Sequence, residues 1–483
     1  MGTTTRGRRA ALLGLLCALG IALGGGTAHA DGAPVGNDIQ VAQTLGAREL
    51  TVIIRRIDVT PGPLHVDVVT HAGTTPGTIH LQVAAAGVVV SRGDVTLGAA
   101  PGIYSGTLQV DQPGPWELGL TDAAGGPTAT IPFVIPARVV PPWEKATYGG
   151  FVAAGVFLLL ALGVALRSRR TAYALVPAGG MVAALAVAVT GALLSASTPP
   201  PPAPGSQLDP TVDNVTDPYA LSRLPVTDYS RPPVNFTAKT LTTTGKPAEL
   251  DLRFTDGSTG RPADDLVIHD DALVHLVVVS PSGRLWHLHP VRVAPGEYRV
   301  RLVPPESGTY AVSAELERRG GGVQLARSTV DITAVPGAPG PAALPAGPGK
   351  RVVDGVPVDV TTTAVTAGVP VTVTAHFPEG DLQPWLGMLG HLIVVGPLPS
   401  ADRVGAAAAT APTWAHAHAM PPYVPGLTGI PDETVAAYGP DVPFTYTFAT
   451  PGRYRLWLQA ERGWSVVTVP VVLDVPAAEG GGQ

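Results

Sequence analysis

The stretch ALVHLVVVSPSGRLWHLHPVRVAPGEYRVRLVPPESGTYAVSAEL, from Ala272 to Leu316, is a succession of short apolar runs broken by Pro, Ser and Gly. Runs of this length, rich in Val, Leu and Tyr and bounded by turn formers, read as antiparallel strands. Pro281-Ser282-Gly283 is a three-residue connection whose last residue suits the left-handed position of a bulged hairpin. Pairing Ser280 with Arg284 across it sets His275 opposite His289 and Val277 opposite His287. Side chains alternate along a strand, so His275, His287 and His289 then share one face. A slip of one residue would part them.

Outward from this stretch the same design returns. APGIYSGTLQVDQPGPWELGL runs from Ala100 and APGEYRVRLVPPESGTYAVSAEL from Ala294, with Gly102 to Gly114 and Gly296 to Gly308 both separated by 12. TPGRYRLWLQAERG from Thr450 places Gly452 and Tyr454 where Gly308 and Tyr310 stand. We read these as one hairpin repeated, with Gly at a tight turn and an aromatic ring turned into the core. Three segments, residues 31–140, 236–335 and 351–475, are therefore each expected to be an immunoglobulin-like antiparallel β-sandwich. The 58 glycines and 51 prolines among 483 residues, about twice ordinary usage, argue against a mainly helical chain. The Pro-rich stretches 197–235 and 336–350 read as tethers, and 476–483 as a tail.

The amino-terminal residues carry Arg6, Arg8 and Arg9, an apolar run from Ala10 to Leu23 and Ala28-His29-Ala30, the layout of a signal peptide over residues 1–30. Cys17 is the single cysteine and leaves with that leader, which removes disulfides and thiolate ligands together. Residues 147–196 hold two apolar stretches, each close to the ~20 residues that cross a bilayer. Arg167, Arg169 and Arg170 sit in the connection 167–171, which the positive-inside rule assigns to the cytoplasm. A two-pass membrane protein with its β domains on the extracytoplasmic side is the expected arrangement. Net charge is −6 and charged residues are 14 %, with no basic stripe, so nucleic acid is not an expected partner.

Histidines concentrate in the last two domains. One holds His269, His275, His287 and His289; the other holds His376, His391, His416 and His418, with Met388 and Met420 close by. Three imidazoles on neighbouring strands can converge on one ion, as in three-histidine zinc centres. Thioether sulfur from Met388 or Met420 would favour copper, and an all-imidazole site also favours Cu(II) by the Irving–Williams order. The expected ligands are His275, His287 and His289 in one site and His391, His416, His418 with one Met in another. His269 beside Asp270 and Asp271 reads as a surface turn. His65, His71 and His80 lack the HxH pattern, and the first domain reads as non-ligating.

LVHLVVVSPSGRLWHLHP, LGMLGHLIVV, HAHAM and PGRYRLWLQAERG together resemble the YtkA-like and FixH-like exported bacterial domains. That resemblance implies copper handling, with a copper-handling or oxidase-assembly partner in the membrane. His275, His287, His289, Pro290, His391, His416 and His418 fall on its motif. Val274 stands where the family carries Met, and Ala419 where it carries Pro. The leading expectation is a membrane-anchored copper-binding protein, not an enzyme, with zinc as a possible alternative ion. A metal-free interaction protein is the first alternative. A zinc hydrolase is the second; GxSxG, GxxxxGK[ST] and HExxH motifs are absent, and no motif places Asp270, Asp271 or Glu315 near an ion.

Overall fold

The structure is a computed structural model that describes residues 38–55, 57, 59–135, 142–168, 170–197, 232–241, 246–319, 321–337, 346–399, 404–422 and 431–478. The leader, most of the first tether, the middle of the second and the end of the tail lie outside the described residues. Two units divide the chain, one carrying the apolar helices and one carrying the β-strands.

In the helical unit, Pro142–Arg167 and Leu175–Ser197 are α-helices joined by a 3-10 turn at Thr171–Ala174. The first begins earlier than the expected position 147, because Trp143-Glu144-Lys145 has no breaker after Pro142. Both are long and apolar enough to cross a membrane. Only 11 % and 6 % of the two apolar windows is buried, whereas the core helices of a soluble domain are mostly buried. The helices approach through small residues: a Cβ on Gly150 would stand 2.8 Å from the Ala184 carbonyl oxygen, and one on Gly191 2.5 Å from that of Trp143.

The β unit is mainly antiparallel and holds three sandwich domains. In the first, strands Ile39–Leu45, Arg48–Ile54, Gly62–Thr70 and Gly102–Val110 face a second sheet of Val88–Leu97, Gly77–Ala85, Gly114–Asp122 and Ala129–Ile135. One apolar core, including Val52, Leu64, Leu81, Trp116 and Ile131, fills the space between them. The second and third domains share a plan. In the second, Leu266–Val267, Gly308–Arg318, His275–Val279 and Leu285–Leu288 are neighbours in that order; in the third, Leu382–Gln383, Gly452–Arg462, Gly390–Gly396 and Thr413–Ala419 are. The second domain's first strand is Val234–Thr240 and the third's is Gly349–Val353, each beginning two residues before the bound expected from composition.

The repeated motif is a sheet crossing and not a hairpin. Gly102–Val110 and Gly114–Asp122 lie in opposite sheets, as do Glu297–Leu302 and Gly308–Arg318. The aromatic two residues after each Gly locks the corner. Trp116 Nε1 donates to Gln112 O at 3.0 Å, Tyr310 Oη to Glu306 O at 2.6 Å and Tyr454 Oη to Thr450 O at 2.8 Å. Each ring is buried while its polar atom bonds backbone four residues upstream, the device of a sandwich corner.

Candidate metal centre

The Pro281-Ser282-Gly283 hairpin has the expected register. Val277 pairs with His287, Ser280 N donates to Arg284 O at 2.9 Å, and Gly283 takes φ +89°. In the third domain His391 pairs with His418 and Ile393 with His416. Leu276 and Val278 enter the second domain's own core, and Leu392 and Val394 the third's. The alternate residues Val277, Val279, Ile393, Val395 and Trp457 form a different cluster, in which the two domains pack sheet against sheet. Because the histidines lie on those same outward faces, closing this interface brings both sets together.

The two sites expected from the sequence are thus one. His275 Nδ1 lies 3.3 Å from His287 Nε2, His391 Nδ1 lies 3.0 Å from His416 Nε2, and His418 Nε2 lies 3.3 Å from His416 Nε2. The His287 ring sits 5.4 Å from that of His391 and 4.9 Å from that of His416, across the domain boundary. Ligand-capable atoms of His275, His287 and His416 fall within 4.8 Å of one another, as do those of His391, His416 and His418. Nitrogens bound tetrahedrally to one ion with ~2.0–2.1 Å bonds stand roughly 3.3 Å apart, so the spacing fits a ligand set, and it equally fits N–H···N hydrogen bonds.

Each imidazole turns its other nitrogen outward. His275 Nε2 donates to His269 O at 3.0 Å and His391 Nε2 to Trp385 O at 3.1 Å. A carbonyl only accepts, so each of these rings carries its proton outside and a bare Nδ1 inside. His287 Nδ1 meets Gln459 Oε1 at 3.0 Å, and His289 Nδ1 donates to Glu49 Oε1 at 2.5 Å. His289 Nε2 is buried without a hydrogen-bond partner. His416 Nδ1 and His418 Nδ1 face Glu315 Oε2 and Asp270 Oδ2 at 3.5 and 3.6 Å. Orienting partners of this kind fix the tautomer and ring plane of metal-bound histidines.

Burial, followed by the repulsion of neighbouring imidazoles, pushes the pKa values of His275, His287 and His391 well below that of a free histidine. The same causes lower His418 to about 4. The neutral form, which binds metal, is therefore the resting form. His269 goes the other way, raised to about 10 by hydrogen bonds to Glu315 and then Glu317. Burial acts to raise the Glu315 carboxyl, but His269 and His416 outweigh it and hold it well below the usual range.

All six expected histidine ligands join the cluster; the two methionines are placed differently from each other. Met420 is 65 % exposed, just past strand Thr413–Ala419, whereas Met388 is buried in the turn that pairs it with Trp385. His376, His65 and His80 are exposed and bond Asp441, Thr107 and Asp94. His269 does lie in a turn, but its side chain is mostly buried and meets Asp270 and Glu315 at 3.1 and 3.5 Å. The first domain contributes Glu49, and its His71 is buried against Glu461 of the third. One signal for this assembly was in the sequence: HLVVV and HLIVVG are unbroken apolar runs, the pattern of strands covered on both faces. A cavity of about 10 Å³ lined by His275, Glu315 and His416 admits an ion or a water, not an organic substrate.

Residues 351–477 match a family described as a domain of unknown function, DUF8832. No curated protein matches the chain. Among solved structures, it is similar to a tetra-tandem repeat from the extending region of a large adhesion protein. That match has 13 % identity and a TM-score of 0.16, and covers 91 % of this chain and 74 % of that one. The FN1–FN3 domains of chicken CNTN1 match at 8 % identity and a TM-score of 0.15, covering 92 % and 99 %. At these TM-scores neither likeness bears on what the chain does.

Proposed function

We propose that this protein is a membrane-anchored metal-binding protein of the extracytoplasmic face that sequesters or delivers copper through the interdomain histidine cluster. The observation that carries the reading is the direction of the imidazoles. His275 and His391 fix their protons on outer carbonyls and point bare nitrogens at His287 and His416, 3.3 and 3.0 Å away. Lone pairs gathered in a dry interior repel unless a cation lies among them. Imidazole donors suit Cu(II) first and Zn(II) after it. The resemblance of the HLHP and HAHAM strands to YtkA-like and FixH-like domains supports copper, and with it a copper-handling or oxidase-assembly partner. The apolar helices would supply the anchor, with Arg167 and Arg170 on the cytoplasmic side. The narrow cavity beside the cluster favours holding an ion over turnover.

A multidomain β protein with two apolar helices stands on either reading, and a metal-free interaction protein is the competitor. Its support is the 3.0 Å between His391 and His416, a separation that an N–H···N hydrogen bond also satisfies. Calorimetric titration of the full chain in detergent with Cu(II) and Zn(II) separates the two. Under our reading His287→Ala, which removes the ring touching His275, His289, His391 and His416, weakens binding at least tenfold. Absence of binding heat, together with a melting temperature indifferent to both ions, leaves the interaction protein.

A further inference from the structure

The cluster is nearly symmetric between its two domains, and it breaks symmetry at one place. His275 and His391 each donate to the carbonyl six residues upstream, on His269 and Trp385. Each of those residues opens a matching two-residue turn, closed by paired backbone bonds to Ala272 and Met388, with left-handed residues Asp270-Asp271 and Leu386-Gly387 at the tip. Across the neighbouring strand, Glu315 faces His275 where Gln459 faces His391. The third domain thus closes its side with Trp385, Leu386 and Gln459. The second presents His269, Asp270 and Glu315 in the same positions.

We propose that His269, Asp270 and Glu315 hold a second divalent cation, harder than the first, joined to the imidazole centre through His416. This rests on the reading of the six histidines as a metal centre. Ligand-capable atoms of the three residues lie within 4.8 Å of one another. His269 Nε2 is 3.1 Å from Asp270 Oδ2 and 3.5 Å from Glu315 Oε1. A separate observation points into this group from the other side. The His416 side chain is only 4 % exposed, and its Nδ1 faces Glu315 Oε2 at 3.5 Å without a hydrogen bond. Its Nε2 is already inside the cluster, between His391 and His418. A neutral imidazole carries one lone pair, so His416 offers a nitrogen to each site only as an imidazolate, its ring proton leaving for solvent as the second ion binds; His418 repeats the geometry with Nδ1 at 3.6 Å from Asp270. His269 rests as a cation held by Asp270, Glu315 and Glu317 and gives up its proton as the ion enters. The carboxylates of Asp270 and Glu315 and one imidazole then balance a dication and favour a borderline or hard ion such as Zn(II) or Mn(II) over Cu(I).

The test counts ions on the full chain in detergent after gel filtration, loaded with Zn(II) or with Cu(II), in wild type, Glu315→Gln and Asp270→Asn. Glu315→Gln copies Gln459 and keeps an acceptor for His416, while Asp270→Asn keeps volume, so each guards against misfolding of the other. Two ions in wild type and one in each variant is the expected result. With copper, the linked pair should give an electron-spin signal smaller than the copper counted, and Glu315→Gln should restore one spin per copper. One ion throughout overturns the second site and leaves the imidazole centre standing. Two ions throughout also overturns it, because both then sit among the imidazoles. No ion in wild type removes both readings together.

Discussion

A histidine that binds metal at the surface competes with protons as soon as pH falls past its ordinary pKa. With a value of about 6.5, each such ligand loses about tenfold in apparent affinity by pH 5.5, and three lose about a thousandfold. Here burial, then neighbouring imidazoles, keep His275, His287 and His391 neutral well below that value, and His418 down to about 4. A depressed pKa favours the free base, so protons leave the ion undisturbed over that window. Copper or zinc affinity is accordingly expected to change by less than about tenfold between pH 7 and 5.5, as measured by competition with a chelator of known pH dependence. A thousandfold loss would show that the nitrogens titrate as exposed ones and that the cluster opens in solution.

Between residues and domains stands the hairpin that aims them. Gly283 carries φ +89°, and a Cβ there would lie 2.7 Å from Arg455 Nη2 and 2.9 Å from Val404 Cγ2 of the third domain. Its carbonyl also accepts from Trp457 Nε1 at 3.2 Å. Gly283→Ala combines left-handed strain with a clash at the domain interface, and a loss of about 1–3 kcal/mol in unfolding free energy is expected from denaturant melts. Metal binding should weaken with it, since the same turn fixes the register of His275 and His287; unchanged stability would mean that the interface relaxes without cost. This hairpin was legible because its turn chemistry and its alternation are local. So were the three β domains and the two apolar helices, each written in a contiguous pattern. The meeting of the two histidine sets was not, because it depends on the outer faces of two sheets, where Val277 and Ile393 carry no mark of their partner. Local sequence also could not distinguish a hairpin from a sheet crossing in the Gly-x-aromatic repeat, whose two strands are equally close along the chain in either case. His269 lies in the expected turn, but its burial was not legible for a related reason: Glu315, which helps cover it, lies on a strand that pairs with His275 from forty residues away.

At the scale of the β unit, the first domain reinforces the centre from outside. Its edge strand bonds the second domain through Ala42 N to Asp271 O and Thr44 N to His289 O, both at 2.7 Å, and Glu49 holds His289. Its contacts with the third domain include Gln40 Nε2 donating to Glu433 Oε1 at 3.0 Å, Ala42 packed with Trp385 and Leu386, Ala72 N bonded to Trp464 O, and His71, whose Nδ1 donates to Glu461 at 2.6 Å. Burial alone would lower the His71 pKa, but the hydrogen bond and charge of Glu461, helped by Glu433, raise it to about 9. Below about pH 6.5 the imidazole is protonated in both folded and unfolded chains, and the pair contributes its full stability. As pH rises, the unfolded chain gives up that proton first, so the contribution shrinks and is gone once pH passes about 9. A shift of this size is on the order of 3 kcal/mol. Glu433, raised to about 7, and Asp271, raised to about 8, both chiefly by burial, favour their protonated forms in the fold and so also lose stability as pH rises. The share of His71 must therefore be read as a difference. The melting temperature of wild type minus that of His71→Gln is expected to be constant below about pH 6.5, to narrow through pH 7 and 8, and to close near pH 9.5. A difference that does not move with pH would mean that His71 is neutral in the fold and that the first domain is held by its backbone contacts and apolar surface instead.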